Sequence, residues 1–167
     1  MPSGKAADMT EARLLDLLST ISDPEIPVVS IIDLGILRAV AQMDDRWVIT
    51  ITPTYSGCPA MNMIEAQIRA LLDQELNGAY EVRTVLHPAW TTDWMSEDGR
   101  RKLKEYGIAP PEASPHQHKL FGAPVLPECP HCNATNTERI SEYGSTACKA
   151  MYRCLDCREP FDYFKCH

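Results

Sequence analysis

Thr54-Tyr55-Ser56-Gly57-Cys58-Pro59-Ala60 is the stretch on which the reading of this chain turns. It joins a strand-like run, Trp47 to Thr52, to a helical run that begins near Pro59. Proline suits the first helical position because the amide hydrogen it lacks would have no partner there. Cys58 is then expected at the N-cap, facing free backbone N–H groups and the positive end of the helix dipole. A thiol so placed is expected to ionise more readily than a free one, and the thiolate is the form that attacks electrophiles or binds metal. Gly57 allows a tight turn and leaves the sulfur uncrowded. The competing reading is a buried, inert cysteine at a strand–helix junction.

Downstream, Met61, Ile64, Ile68, Leu71 and Leu72 recur at three and four residues, which predicts one buried helical stripe. Asn77-Gly78 stops that helix, and Tyr80 to Leu86 reads as a strand. Upstream, Ile36 to Ala41 and Arg46 to Thr52 alternate as strands about a Met43-Asp44-Asp45 turn. An earlier helix is expected from Asp8, with Glu11 completing a capping box and Leu14, Leu15, Leu17, Leu18 and Ile21 on its apolar face. Asp23-Pro24-Glu25-Ile26-Pro27 ends it. The order helix, hairpin, helix, strand predicts an α+β fold, a small mixed sheet with helices packed on it. Asp23, Glu25 and Asp33 are candidates for a carboxylate cluster near Cys58. Taken singly, Asp23 reads as a turn cap and Glu25 as a solvated acid.

His87-Pro88-Ala89-Trp90-Thr91-Thr92-Asp93-Trp94-Met95 follows the third strand. Its tryptophans read as pins for a following helix rather than as a partner surface. That helix is expected between a Ser96 cap and Gly107. His87 reads as a hydrogen-bonded residue rather than a ligand. From Ala109 to Glu128, Pro110, Pro111, Pro115, Pro124 and Pro127 mark a linker that also carries His116 and His118. The expected organisation is an α+β domain over 8–107, a Pro-rich linker over 108–128 and a metal module over 129–167.

The chain has seven cysteines, and six of them lie between Cys129 and Cys166. Cys129-Pro130-His131-Cys132 and Cys154-Leu155-Asp156-Cys157 are Cys-x-x-Cys pairs, separated by enough chain for a short β-hairpin. This is the spacing of a zinc ribbon. Four thiolates suit tetrahedral Zn²⁺ in a closed, structural site, although they also suit mononuclear iron or an iron–sulfur cluster. Metal binding is expected to supply much of the folding free energy of so small a module. Tyr143, Tyr152, Phe161, Tyr163 and Phe164 are expected to pack around it. Cys148 and Cys166 are left over, to replace a ligand, to bind iron or to pack.

Within 167 residues, 44% hydrophobic content supports a real core. A net charge of −7 argues against general attraction to nucleic acid. No apolar run is long enough to span a bilayer, and Met1 to Asp8 lack the apolar core of a signal peptide, so a cytoplasmic protein is expected. Neither paired Glu-x-x-His motifs for a di-iron bundle nor a Gly-rich nucleotide fingerprint occur, and no Ser–His–acid set is recognisable.

Asp23-Pro24-Glu25-Ile26-Pro27, Asp33-Leu34-Gly35 and the run Thr52-Pro53-Thr54 to Gly57-Cys58-Pro59 resemble the iron–sulfur cluster assembly (SufT-like) domain family over about the first half of the chain. Trp90 to Met95, Gly144 to Lys149, Glu159 to Cys166 and the two Cys-x-x-Cys pairs narrow the resemblance, over nearly the whole chain, to the PaaD family. Members of that family are subunits or accessory proteins of the bacterial phenylacetyl-CoA epoxidase system. The resemblance implies a place in aerobic phenylacetate degradation, whose epoxidase is a multicomponent di-iron enzyme served by a separate reductase. The expected role is a maturation component rather than an independent enzyme. Cys58, Asp23 and Glu25 would handle iron or a transient cluster, and Cys129, Cys132, Cys154 and Cys157 would hold structural zinc. The expected partners are the epoxidase or reductase subunits, with a homo-oligomer allowed. The alternative is a redox or structural subunit of the oxygenase whose four-cysteine centre carries the metal.

Overall fold

The computed structural model describes residues 9–76, 78–111 and 126–165. Internal contacts divide the chain into two compact units, Met1–Trp90 and Thr91–His167.

In the first unit, α1 runs Glu11–Leu18 and is capped by Thr10, whose hydroxyl accepts from the Arg13 N–H at 3.2 Å. The cap expected at Asp8 lies outside the described residues. Leu14 and Leu18 are fully buried. The acidic turn then closes on itself: Asp23 Oδ1 accepts from the N–H groups of Glu25 and Ile26 at 2.8 and 2.9 Å. Asp33 Oδ2 accepts from the Ser30 N–H, and the Ser30 hydroxyl accepts from the Asp33 N–H, both at 3.0 Å. Strands β1 (Leu37–Met43) and β2 (Arg46–Ile51) form an antiparallel hairpin. Met43 belongs to β1 and pairs with Arg46, so the turn is Asp44-Asp45 alone. Asp44 adopts φ 53°, which a short polar residue tolerates.

Helix α2 runs Ala60–Leu76, and strand β3 (Tyr80–Thr84) returns parallel to β2 with Trp47 opposite Tyr80. The sheet order is β1-β2-β3, with one antiparallel and one parallel pairing, which is the mixed sheet expected. The buried stripe of α2 is Ala60, Ile64, Ile68, Leu72 and Leu76, at an even spacing of four. Met61 and Leu71 flank it at partial exposure. Trp90 is buried and donates its indole N–H to the Leu34 carbonyl at 2.8 Å, which ties the end of this unit to the loop before β1.

In the second unit, α3 (Glu97–Glu105) is capped by Ser96, whose hydroxyl accepts from the Gly99 N–H at 2.9 Å. Gly107 follows at φ 91°. Ile108 and Ala109, which the sequence places in the linker, instead form β4 and pair parallel with β7 (Pro160–Phe164). Both are buried, and that burial draws them into the sheet. Helix α3 accordingly groups with the C-terminal unit rather than with the first domain. With β5 (Thr137–Ser141) and β6 (Lys149–Cys154), the sheet order is β4-β7-β6-β5. Tyr152, Phe161 and Tyr163 pack together as expected, and Phe164 is buried. Tyr143 is instead 60% exposed, with the Lys165 ammonium 4.0 Å from its ring centre. Among the described residues, no helix is long and apolar enough to cross a membrane.

Ile68 is fully buried at the centre of the α2 stripe. Ile68→Ala should lower stability by about 2–5 kcal/mol. A urea melt followed by the far-ultraviolet helix signal will measure the loss.

Candidate functional sites

The loop from Thr52 to Pro59 leaves the carboxyl end of β2 and enters α2. Its start is fixed by the Thr52 N–H, which donates to the Ile36 carbonyl at 2.9 Å. That bond also brings the Asp33-Leu34-Gly35 turn to the same end of β2. Gly57 takes φ 81° with nothing within 4 Å of the position a Cβ would occupy, so conformation rather than crowding favours glycine there. The Cys58 N–H donates to the Tyr55 carbonyl at 3.3 Å. The Cys58 carbonyl accepts from the Met61 N–H at 3.2 Å, a tight opening turn just before the regular helix begins at Ala60. Cys58 is a free thiol at partial exposure, not a buried packing residue.

Asp23 and Glu25 bond within their own turn. Asp23 is buried, and one carboxylate oxygen is engaged by two backbone N–H groups of that turn. Glu25 is half-buried and supplies one of them. A groove beside the turn is lined by Asp23, Pro24, Pro27, Gln67, Leu71 and Gln74, and Cys58 does not line it. The sequence gives no special weight to the Thr52 side chain. Thr52 is 1% exposed, and its hydroxyl has no hydrogen-bond partner among the described residues. An unsatisfied buried hydroxyl costs about 1–3 kcal/mol, and only its position at a strand end entering a loop could signal it.

Among the described residues, the cluster of three or more His, Cys, Asp or Glu side chains close enough to share a metal ion is Cys129, Cys132, Cys154 and Cys157. All four sulfurs lie within 4.8 Å of one another. Cys129 Sγ is 3.8 Å from Cys157 Sγ, and Cys132 Sγ is 3.5 Å from Cys154 Sγ. These separations are far beyond a disulfide bond of about 2.05 Å. They match the edges, about 3.8 Å, of a tetrahedron with Zn–S bonds of about 2.3 Å. The donor set therefore fits a four-coordinate metal with no open position.

Backbone geometry builds the two knuckles. The Asn133 N–H donates to the Cys129 carbonyl at 2.9 Å, and the Cys157 N–H points at Cys154 Sγ at 3.5 Å. Each knuckle is followed by a left-handed residue, Asn133 at φ 62° and Arg158 at φ 66°. Asparagine tolerates that region, whereas a long side chain costs about 1–2 kcal/mol. Cys129 and Cys154 are buried with Ala109 and Phe161, while Cys132 and Cys157 reach the surface.

Without a cation, the clustered thiols share protons unevenly, Cys154 ionising first and Cys157 holding its proton. The backbone N–H of Cys157, then that of Asp156, favours the Cys154 thiolate and brings it down to about 7. The Glu159 backbone N–H favours the Cys157 thiolate, but desolvation and the Cys132, Cys154 and Cys129 sulfurs outweigh it and push Cys157 up to about 12.

The other candidates stay apart. His87 is exposed and outside the cluster. Cys148 is buried, with its sulfur 3.0 Å from the Thr146 hydroxyl. His116, His118 and Cys166 lie outside the described residues.

Both halves of the chain have counterparts among known proteins. Residues 11–86 match the family described as iron-sulfur cluster assembly protein, and residues 113–165 match the PaaD zinc beta ribbon domain. A crystal structure of the DUF59 domain from Bacillus anthracis is 31% identical, covers 56% of this chain and 90% of that one, and superposes with a TM-score of 0.50. The chain is also 35% identical over 97 residues to the Fe-S protein maturation auxiliary factor of Porphyromonas gingivalis (strain ATCC BAA-308 / W83), covering 56% of this chain and 90% of that protein. By class, this is an assembly-type α+β domain followed by a zinc ribbon. A protein of Escherichia coli (strain K12), named as a subunit of 1,2-phenylacetyl-CoA epoxidase, is 56% identical over 153 residues, which span 90% of this chain and 89% of that one. The chain belongs to the family of that epoxidase subunit, PaaD.

Two outcomes are expected of the cysteine cluster. Cys129→Ser should lose the metal and the β5–β7 amide dispersion while the first unit stays folded, as a ¹⁵N NMR spectrum will show. Metal binding to the stripped chain at pH 7 should release protons, because Cys157 is protonated there when no metal is present. Acidification should therefore expel the metal. Calorimetric titration in buffers of different ionisation enthalpy will count the protons.

Proposed function

We propose that the chain is an accessory maturation component of aerobic phenylacetate degradation rather than an independent enzyme. It assists iron or iron–sulfur cluster assembly in the multicomponent phenylacetyl-CoA epoxidase or its reductase. The observation that carries this reading is a partly exposed free thiol, Cys58, on the strand–helix loop of an assembly-type domain. Likeness along 90% of the chain to an epoxidase subunit points to the pathway, and the maturation auxiliary factor resembling the first unit points to the kind of work.

In this reading the cargo is iron or a labile cluster, held transiently by the Cys58 sulfur and passed on by ligand exchange to the client's own ligands. Asp23 and Glu25 assist by shaping the acidic turn. Cys129, Cys132, Cys154 and Cys157 hold zinc, which supplies cross-linking rather than chemistry, and the ribbon docks the client.

A second reading is a redox or structural subunit of the oxygenase. It draws on the same four sulfurs, which suit iron as well as zinc. Iron there would give a coloured protein with a reversible reduction signal.

Metal and acid-labile sulfide should be measured on protein purified without oxygen, for the wild type and Cys58→Ser. Zinc in both, with extra iron or sulfide in the wild type alone, is the expected result, together with a reduced cluster content in the client when the variant replaces the wild type. Normal client loading by Cys58→Ser would remove Cys58 from the mechanism. Iron and colour in both proteins would move the chemistry to the ribbon.

A further inference from the structure

Arg158 occupies a position where its backbone conformation is costly and its side chain bonds to nothing among the described residues. It follows the last cysteine of the second knuckle at φ 66°, the conformation that the first knuckle gives to Asn133 at φ 62°. Glycine or asparagine would serve the turn better. No hydrogen bond or ion pair engages the Arg158 guanidinium among the described residues. By contrast, Arg153 bonds Glu138 and Arg101 bonds both Asp98 and Glu105. A strained residue whose side chain bonds to nothing among the described residues points to work by that side chain for something else, outside them.

The surroundings supply the something else. Arg158, Arg153, Leu155 and Cys154 line a concavity of about 390 Å³ on the second knuckle. Leu155 is 44% exposed there. Arg153 is already held by Glu138, which leaves Arg158 as the guanidinium to be matched. A guanidinium beside an exposed leucine matches a carboxylate-bearing side chain next to an apolar one, since arginine binds carboxylates in a bidentate fork. The volume suits one or two side chains of a peptide. An extended polyanion is a poor match, because the notch offers a single unpaired guanidinium and the chain around it carries a net charge of −7.

We propose that this notch docks an acidic peptide segment of a protein partner, with a partner carboxylate on Arg158 and an apolar side chain against Leu155. The proposal rests on the reading of the ribbon as the client-docking module and gives that surface its residues and its chemistry. The bland alternative is that Arg158 offsets the negative charge of the metal-bound thiolates. The two differ in what Arg158→Gly does to the metal.

The test uses the full, metal-loaded chain, ¹⁵N-labelled and titrated with the peptide acetyl-Gly-Asp-Leu-Glu-Gly-amide. An analogue with Asn and Gln in place of the acids is the control, and a single-stranded DNA oligonucleotide is a second probe. Saturable shifts at Arg153, Leu155 and Arg158 are expected with the acidic peptide alone. Arg158→Gly should weaken that binding roughly tenfold, with unchanged metal content and an equal or higher Tm. Arg158→Asn should behave in the same way and guards against a folding artefact of glycine. The proposal is overturned by an absence of shifts at these residues, by wild-type binding in both variants, by binding of the oligonucleotide in place of the peptide, or by metal loss in the variants. None of these readings involves Cys58 or cluster loading, so failure here is separable from failure of the maturation role.

Discussion

The parallel pairing of β2 with β3 is the constraint from which the first unit follows. Antiparallel strands can be joined by two residues, as β1 and β2 are, but a parallel partner needs a long crossover. Here the crossover is α2, whose Ile64, Ile68 and Leu72 are fully buried. A crossover has to leave from the carboxyl end of the first strand, and that is the end of a sheet where ligand loops are generally found. The partly exposed position of Cys58 is therefore a product of topology. The chain turns from Ile51 into Ala60 within a short loop, Gly57 takes the left-handed step, and the cysteine is presented where the helix starts.

The second unit solves a different problem. Around the knuckles, the cluster of buried residues among those described is Ala109, Cys129, Cys154 and Phe161, and two of the four belong to the cysteine cluster. With so little apolar burial around the knuckles, a metal bound by the four sulfurs would supply the cross-links that a larger core supplies elsewhere. Strand β4 adds to this economy. By pairing with β7 it covers one sheet edge and brings Ala109 against the cysteines. An uncovered strand would leave a row of unpaired backbone groups at that edge.

How far the sequence foretells this differs by kind of interaction. Local and periodic signals read well: the hairpin, the Ser96 cap, the α2 stripe and the two knuckles all involve residues a few positions apart. The stripe is rotated from the expected one, because Met61 and Leu71 are apolar but lie beside the line set by the strictly spaced Ala60, Ile64, Ile68 and Leu72. Pairings across long separations are invisible. Nothing in Ile108-Ala109 announces distant partners at Asp162 and Tyr163, and two prolines next to them argue for a linker. Asp23 shows a further limit. Its place beside two prolines is equally consistent with a turn cap and with a site carboxylate, and the structure displays the capping bonds to Glu25 and Ile26.

The two sulfur sites are opposites, and the contrast bears on what each is able to do. The knuckles supply a complete tetrahedral set from one unit, so a metal held there has its ligand demand met and gains nothing by leaving. Cys58 belongs to no group of three ligating side chains among the described residues. A metal or cluster held by it must complete its coordination from elsewhere, from a small ligand, a second copy of the chain or the client. A single sulfur binds more weakly than four and exchanges more readily. Incompleteness is thus the property a transfer site requires, just as closure is the property a structural site requires. On the proposed reading, such a chain would separate the metal that holds it together from the metal that it hands on.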